Sequence, residues 1–356
     1  MTDVGYLQSM LQCDVDAMVA DGAVGVIAQV CTDDGEIRAR SGVADTATGA
    51  PVPFDAHFRI GSNTKTFVAV AMLQLIAEAR LQLDDPLRRW LPGLLEGAGY
   101  DAEAIRVRHL LQHTSGISDY LLDERFQAVF ADVDGLLHHF TADDLVGYAL
   151  ARPAVFKPGS RWEYSNINYI LAGMIIERVT GRTWEQQVTE RVIEPLGLRE
   201  TVAPQQPQLP GPHAVGYYWD PDTDAYLDVT LMDPSWAGAA GSMVSTLHDL
   251  GIFWRAMGSG LLLPPAQVAQ MRTTVVVNDP TRIAGGAYGL GIGAAPLSCG
   301  GVYWTHGGSL PGFKTFNAVS DDGETSVIIS VSGHGKSEGT QTLGRDIIDR
   351  TLCALK

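Results

Sequence analysis

Cysteine is scarce in this sequence, positive charge is in deficit and no long apolar run occurs, and each shortage excludes a class of function. The four cysteines (Cys13, Cys31, Cys299, Cys353) form no CxxC pair, and the nine histidines form no HExxH pair. A metal site therefore has no support, and no cofactor is expected. On spacing alone the cysteines read as small buried hydrophobes. The 25 basic residues are outnumbered by 41 acidic ones, for a net charge of −16. Such a surface repels phosphate backbones and anionic headgroups, so neither nucleic acid nor membrane is an expected partner. No segment approaches the roughly 18 apolar residues of a membrane span. Phe67 to Ile76 is apolar but too short, and reads as a core helix. From Met1 to Ile37 there is no basic residue, so nothing resembles a charged leader. The chain as written is expected to be cytoplasmic, or secreted if it is a trimmed mature form.

What is present is a globular composition, 46% hydrophobic and 19% charged over 356 residues, enough for one large or two medium domains. Val24 to Val30 is a β-branched run followed by Asp33-Asp34-Gly35 and Glu36 to Ser41, which predicts a hairpin. Phe67 to Leu83 repeats apolar residues at helical spacing, with Met72, Leu73 and Ile76 on the inner face. From Asp84 to about Thr230 the chain reads as helical and loop-rich. Ile170 to Thr180 and Trp184 to Ile193 are its clearest helices, separated by Gly181. After Trp236 the stretches Gly241 to Thr246, Ala287 to Gly293, Gly301 to Thr305, Lys314 to Ser320 and Glu324 to Ser332 predict strands. Thr340 to Leu352 predicts a closing helix. Strands at both ends around a helical middle predict a sheet-bearing domain of residues 1–83 and 237–356, with a helical domain, 84–236, inserted.

Three short motifs carry chemistry. Gly61-Ser62-Asn63-Thr64-Lys65 opens the apolar helix, so one turn puts the Ser62 hydroxyl and the Lys65 amine on the same side. A serine alcohol needs a base to take its proton, and Lys65 serves only if burial and neighbouring cations keep it neutral. Taken alone, Ser-x-x-Lys is too short to tell from an N-cap serine followed by a surface lysine. Tyr164-Ser165-Asn166 stands before the Ile170 helix. Its phenol can pass a proton and its amide can hold a substrate carbonyl, although a capped helix entry looks the same. Thr305-His306-Gly307-Gly308-Ser309 follows the apolar Val302-Tyr303-Trp304. It offers a proton donor at a strand end and open backbone beyond, where the N–H of Ser309 could join that of Ser62 in an oxyanion hole; one such donor is worth about 3–4 kcal/mol. A glycine-rich turn with an incidental histidine is the alternative.

Ser-x-x-Lys, Tyr-x-Asn and His-x-Gly each occur once, in that order. The set resembles the penicillin-interacting serine enzymes, whose pattern is Ser-x-x-Lys, Ser-Asp-Asn, Lys-Thr-Gly. Nearly the whole chain is similar to serine peptidases and esterases related to class C β-lactamases and to soluble D-alanyl-D-alanine carboxypeptidases. The likeness includes Gly42-Val43-Ala44-Asp45, Arg59-Ile60-Gly61-Ser62, Leu91-Pro92-Gly93-Leu94, His113-Thr114-Ser115-Gly116 and Leu297-Ser298-Cys299-Gly300. The resemblance implies an α/β (α+β) fold of the β-lactamase/transpeptidase-like type. That is an antiparallel sheet flanked by helices plus an inserted all-helical domain, with the site in the cleft between. It implies Ser62 as nucleophile and Lys65 and Tyr164 as proton handlers. Asn166, His306, Gly308 and Ser309 would meet the substrate, Trp236 would be an aromatic wall, and Cys299 could bridge to Cys353 in an exported protein.

The sequence also departs from the pattern. In the carboxypeptidases of this family an arginine upstream of His-x-Gly grips the substrate's terminal carboxylate. The stretch from Gly291 to Ser298 contains no base, and Gly307 replaces a threonine. Burying a carboxylate without its partner is costly, so recognition of a free D-alanine terminus is not expected unless another cation, such as Arg282, fills the role. His306 is expected to be neutral, to hydrogen-bond Tyr164 or Ser165, and to give acylation an acid limb near neutral pH. The expected function is a serine hydrolase that forms an acyl-enzyme at Ser62 on a small peptide amide, ester or β-lactam. Alternatives are an acyl-transferase such as a nonribosomal peptide cyclase, a β-lactamase, or a non-catalytic penicillin-binding sensor.

Overall fold

The computed structural model describes residues 4–334 and 339–356; Met1, part of the leader reading, lies outside them. The predicted first hairpin forms from β1 (Gly25–Thr32) and β2 (Gly35–Gly42). The other strands in chain order are β3 (Phe58–Arg59), β4 (Tyr217–Asp220), β5 (Ala225–Asp228), β6 (Val244–Ser245), β7 (Val275–Val276) and β8 (Ala287–Tyr288). They continue with β9 (Gly293–Pro296), β10 (Val302–Thr305), β11 (Gly308–Leu310), β12 (Phe313–Ser320) and β13 (Ser326–Ser332). Nine strands make one antiparallel sheet in the order β2-β1-β13-β12-β10-β9-β8-β7, with β11 folded back on β12. The neighbouring strands β1 and β13 therefore come from opposite ends of the chain.

Alternation along these strands divides the core in two. Val26, Ala28 and Val30 of β1 meet Val327, Ile329 and Val331 of β13 on one face, under the helices Val4–Ala20 and Gly339–Leu355. Ile27 and Ile328 point the other way, into a larger apolar cluster that runs without interruption into the residues between 84 and 236. At its centre is the Thr64–Ala77 helix, buried nearly all round as an interior helix must be. Phe67 of this helix stacks on Phe253 of the Leu247–Gly258 helix with ring centroids 3.6 Å apart.

Several elements differ from their predicted form. The central helix starts at Thr64, after a 3-10 turn at Gly61–Asn63, and stops at Ala77 instead of Leu83, because Ala79 takes a left-handed conformation. The Val4–Ala20 helix was not expected. It turns Asp14 inward, against Arg350 of the C-terminal helix, so its inner face does not read as an apolar stripe. The β4–β5 ribbon interrupts the stretch read as helical. Gly241 to Thr246 is not one strand: a helical turn, Gly238–Gly241, precedes the two residues of β6. Likewise Ala287 to Gly293 divides into β8 and the start of β9. Cys299 and Cys353 are disulfide-bonded, while Cys13 is exposed and Cys31 half-buried, so the cysteines are not four buried hydrophobes. Among the described residues no helix is long and apolar enough to cross a membrane.

Arg59 in β3 is a buried cation beside the Ser62 turn. Its guanidinium donates to the carbonyls of Pro207 (2.6 Å), Thr230 (3.0 Å) and Met232 (3.2 Å), drawing two loops onto the sheet end. Burial lowers its pKa to about 10, with the Asp233 charge opposing the shift. Arg59→Met strands three carbonyls and should lower stability by at least about 3 kcal/mol in urea unfolding. An unchanged midpoint would show that the loops close without it.

Candidate active site

Ser62 sits in the middle of the 3-10 turn that feeds the central helix. Gly61 before it has φ +51, and a Cβ there would lie 2.8 Å from the Ser309 nitrogen. Glycine is thus required where the turn and β11 approach. Asn63 is wholly enclosed: its Nδ2 donates to Ile60 O (2.9 Å) and Thr315 Oγ1 (2.8 Å), and its Oδ1 accepts from Asn317 Nδ2 at 2.7 Å. Asn317 also donates to the His306 carbonyl at 3.2 Å. A buried amide network therefore ties the Ser62 turn to the end of β10.

Lys65 lies one turn on, with no solvent exposure. Its Nζ is 3.0 Å from Ser62 Oγ, 2.8 Å from Asn166 Oδ1 and 2.6 Å from the Ala240 carbonyl. Burial holds its pKa well below the ordinary lysine value, the Asp119 charge opposing and the Arg282 charge adding to the shift. A neutral amine fits these partners: two N–H bonds point to Asn166 and Ala240, and the lone pair is left for the Ser62 hydroxyl. Asn166 is oriented in turn by Asp119, whose Oδ2 accepts from Asn166 N (2.9 Å) and Nδ2 (2.8 Å), turning the amide oxygen to Lys65. Burial raises the Asp119 pKa, the Asn166 bonds and Lys65 opposing.

The Tyr164 hydroxyl faces Ser62 across the cleft, and burial keeps the phenol above its usual value against the pull of Arg282 and of the Ser62 hydroxyl. The Arg282 guanidinium is 4.4 Å from the centre of the Tyr164 ring, and Lys65 Nζ is 4.8 Å from it. The turn that carries Arg282 is held by Arg345, which donates to the carbonyls of Pro280 (3.3 Å), Thr281 and Arg282 (2.9 Å).

His306 does not bond Tyr164 or Ser165 as expected. The Tyr288 hydroxyl donates to its Nε2 at 2.9 Å, and its Nδ1 lies 2.7 Å from the Gly307 carbonyl. A carbonyl only accepts, so Nδ1 carries a proton; burial disfavours a second one, which leaves Nε2 to accept from Tyr288. Burial takes its pKa down to about 3, Lys65 adding to the shift and the Gly307 bond opposing it. A ring with its pKa this low would not itself give the expected acid limb near neutral pH. Trp236 packs edge-on against Phe130, and its carbonyl accepts from the Tyr120 hydroxyl at 2.8 Å.

Ser62, Tyr164, Asn166, Trp236, His306, Gly308 and Ser309 all line one cleft of about 980 Å³, with Lys65 beneath its floor. The motifs thus meet in space. Sequence reasoning missed Asp119, Tyr288 and the Ala240 carbonyl, which orient the motif residues. Asp119 and Tyr288 carry no spacing signal, and a backbone oxygen carries no sequence signal at all. Among the described residues no group of three or more His, Cys, Asp or Glu could hold a metal ion.

The neutral His306 has a consequence for stability. An unfolded histidine binds its proton below ~6.5, whereas the folded ring stays neutral down to about 3. Between those values the unfolded chain holds more protons, so stability falls as pH falls. Replacing the ring by an uncharged amide in His306→Gln should shrink the loss between pH 7 and pH 5 by about 2 kcal/mol. Equal losses in both proteins, read by denaturant unfolding, would place a charged imidazole in the fold.

Comparison with known proteins identifies the family and the fold. The family model described as Beta-lactamase matches residues 11–350. A D-stereospecific amidohydrolase from Streptomyces sp. is 38% identical, with a TM-score of 0.89 over 97% of this chain and 98% of that one. A D-amino acid amidase from Ochrobactrum anthropi SV3, solved with L-phenylalanine amide, is 28% identical, with a TM-score of 0.85 over 98% of each chain. Esterase EstB of Burkholderia gladioli is 38% identical over 186 residues, 50% of this chain and 46% of that protein. The chain thus matches about half the length of that curated relative. With a family match across nearly its entire length and the fold of the amidohydrolase end to end, the chain belongs to the β-lactamase family.

Proposed function

We propose that the protein is a serine amidohydrolase or esterase that forms an acyl-enzyme at Ser62, with a D-configured residue on the acyl side. The observation that carries this reading is the buried Lys65 amine, 3.0 Å from Ser62 Oγ with its two other partners already assigned. Ser62 Oγ attacks the substrate carbonyl carbon while its proton passes to the Lys65 lone pair. The oxyanion that forms is taken by the backbone N–H groups of Ser62 and Ser309, which the close approach of Gly61 to β11 supports. Collapse breaks the bond to the leaving nitrogen or oxygen. Tyr164 supplies the proton that leaving group needs and recovers one from Lys65, a role its raised pKa suits because the phenol stays protonated. Water then attacks the ester carbonyl by the same route in reverse and releases Ser62.

In this reading Ser62 and His306 come from the sheet-bearing part (1–83 and 237–356). Tyr164, Asn166 and Trp236 come from the helical part (84–236), and they meet across the cleft. The D-stereospecific amidohydrolase and D-amino acid amidase among the similar structures support an amide substrate with a D-configured acyl group. The Cys299–Cys353 bond supports an oxidising compartment rather than the cytoplasm.

Two experiments test the reading. Ser62→Ala should abolish both covalent labelling by a β-lactam and turnover of a nitrophenyl ester; labelling that maps to Ser165 or Ser309 would sink it. A D-aminoacyl amide or ester should be turned over better than the peptide ending in free D-Ala-D-Ala, since Gly291 to Ser298 offers no cation. Faster release of D-alanine from the free acid, lost in Arg282→Gln, would give Arg282 the carboxylate.

A further inference from the structure

His113, the first residue of His113-Thr114-Ser115-Gly116, takes no part in the chemistry above, yet it is held in an unfavourable state. Its backbone has φ +57, a region that residues with a Cβ seldom occupy. Its ring is enclosed, and Nε2 has no hydrogen-bond partner among the described residues. The rest of the motif explains what this arrangement secures. Ser115 Oγ donates to Asn168 Oδ1 at 2.6 Å and accepts from Ile117 N at 3.1 Å, which leaves the Asn168 amide nitrogen facing His113. That nitrogen is 3.2 Å from His113 Nδ1, and the Ser165 N–H donates to the same atom at 3.3 Å. Two donors on Nδ1 leave the ring proton on Nε2. The His113 carbonyl accepts from Glu163 N at 3.0 Å. Both chain neighbours of Tyr164 are therefore bonded to His113, whose ring also lies 4.2 Å from the Tyr164 ring, tilted by 32°. Burial, with the Lys65 charge adding, keeps the His113 pKa well below its usual value, so the ring is a neutral support beside the amine.

We propose that His113 is a positioning residue for Tyr164, fixing the phenol against Ser62 by holding the backbone on either side of it and covering its ring. This rests on the reading of Tyr164 as proton handler. The test uses the full chain with a nitrophenyl ester and a D-amino-acid amide. The variants are His113→Asn, His113→Leu, Tyr164→Phe and the double variant His113→Leu/Tyr164→Phe. Asparagine keeps an acceptor near the Nδ1 position and tolerates positive φ; leucine keeps neither. His113→Leu should lower kcat on the order of 100-fold with KM within about threefold, and His113→Asn should recover kcat to within about tenfold of wild type. In the Tyr164→Phe background the leucine change should cost no more than about twofold, because its effect runs through the missing hydroxyl. If the leucine variant does not fold, the asparagine variant carries the same cycle. Wild-type kcat in the His113 variants, with Tyr164→Phe inactive, would overturn the positioning role alone. A leucine effect undiminished in the Tyr164→Phe background would do the same. Wild-type turnover by Tyr164→Phe would overturn both this role and the proton role of Tyr164.

Discussion

The enclosed Lys65 amine is the constraint on which the rest of the site depends. A lysine with no solvent contact must either be matched by negative charge or give up its own. Here the one carboxylate at hand, Asp119, is spent on Asn166 through two bonds to a single oxygen. What reaches Nζ is a set of three neutral oxygens from three places: the Ser62 turn, the Asn166 amide and the Ala240 carbonyl. That set suits an uncharged base with one lone pair free for a hydroxyl. In the proposed mechanism the same burial that would be a defect in a structural lysine is what activates the Ser62 alcohol.

The chain is strongly acidic, yet the cleft is not. Burial keeps His113 and His306 neutral, with the Arg282 charge adding to both shifts, while the same charge draws the Tyr164 phenol back toward its usual value. Over these distances neighbouring charges and desolvation outweigh the net charge of the molecule, which is spread over a screened surface. The Tyr288 hydroxyl and Gly307 carbonyl complete His306 as a neutral ring. The Asn63, Thr315 and Asn317 side chains then hold that strand end to the Ser62 turn, so a shift of one would move the other.

The motif residues were legible in the sequence because each motif combines a reactive side chain with a local backbone need: a helix entry for Ser62 and Tyr164, glycines for His306. The sheet was legible from both ends because β1 and β13 are runs of β-branched residues. The Val4–Ala20 helix was not, since the partner that lets Asp14 face inward, Arg350, is more than three hundred residues away in the chain. Nor were Asp119, Tyr288 and Ala240, which act only by where the fold delivers them. His306 shows the limit most clearly. Its position was found, but its partner was misassigned, because the choice between Tyr164 and Tyr288 is made by packing.

The neutral base is the claim most directly open to measurement. The chain has only five lysines, so isotope labelling at lysine Cε gives a spectrum in which each can be followed through a pH titration. Lys65 should titrate well below the other lysines, and its signal should disappear in Lys65→Arg while theirs remain. A Lys65 signal that titrates together with the rest, in a protein that still acylates Ser62, would contradict the mechanism.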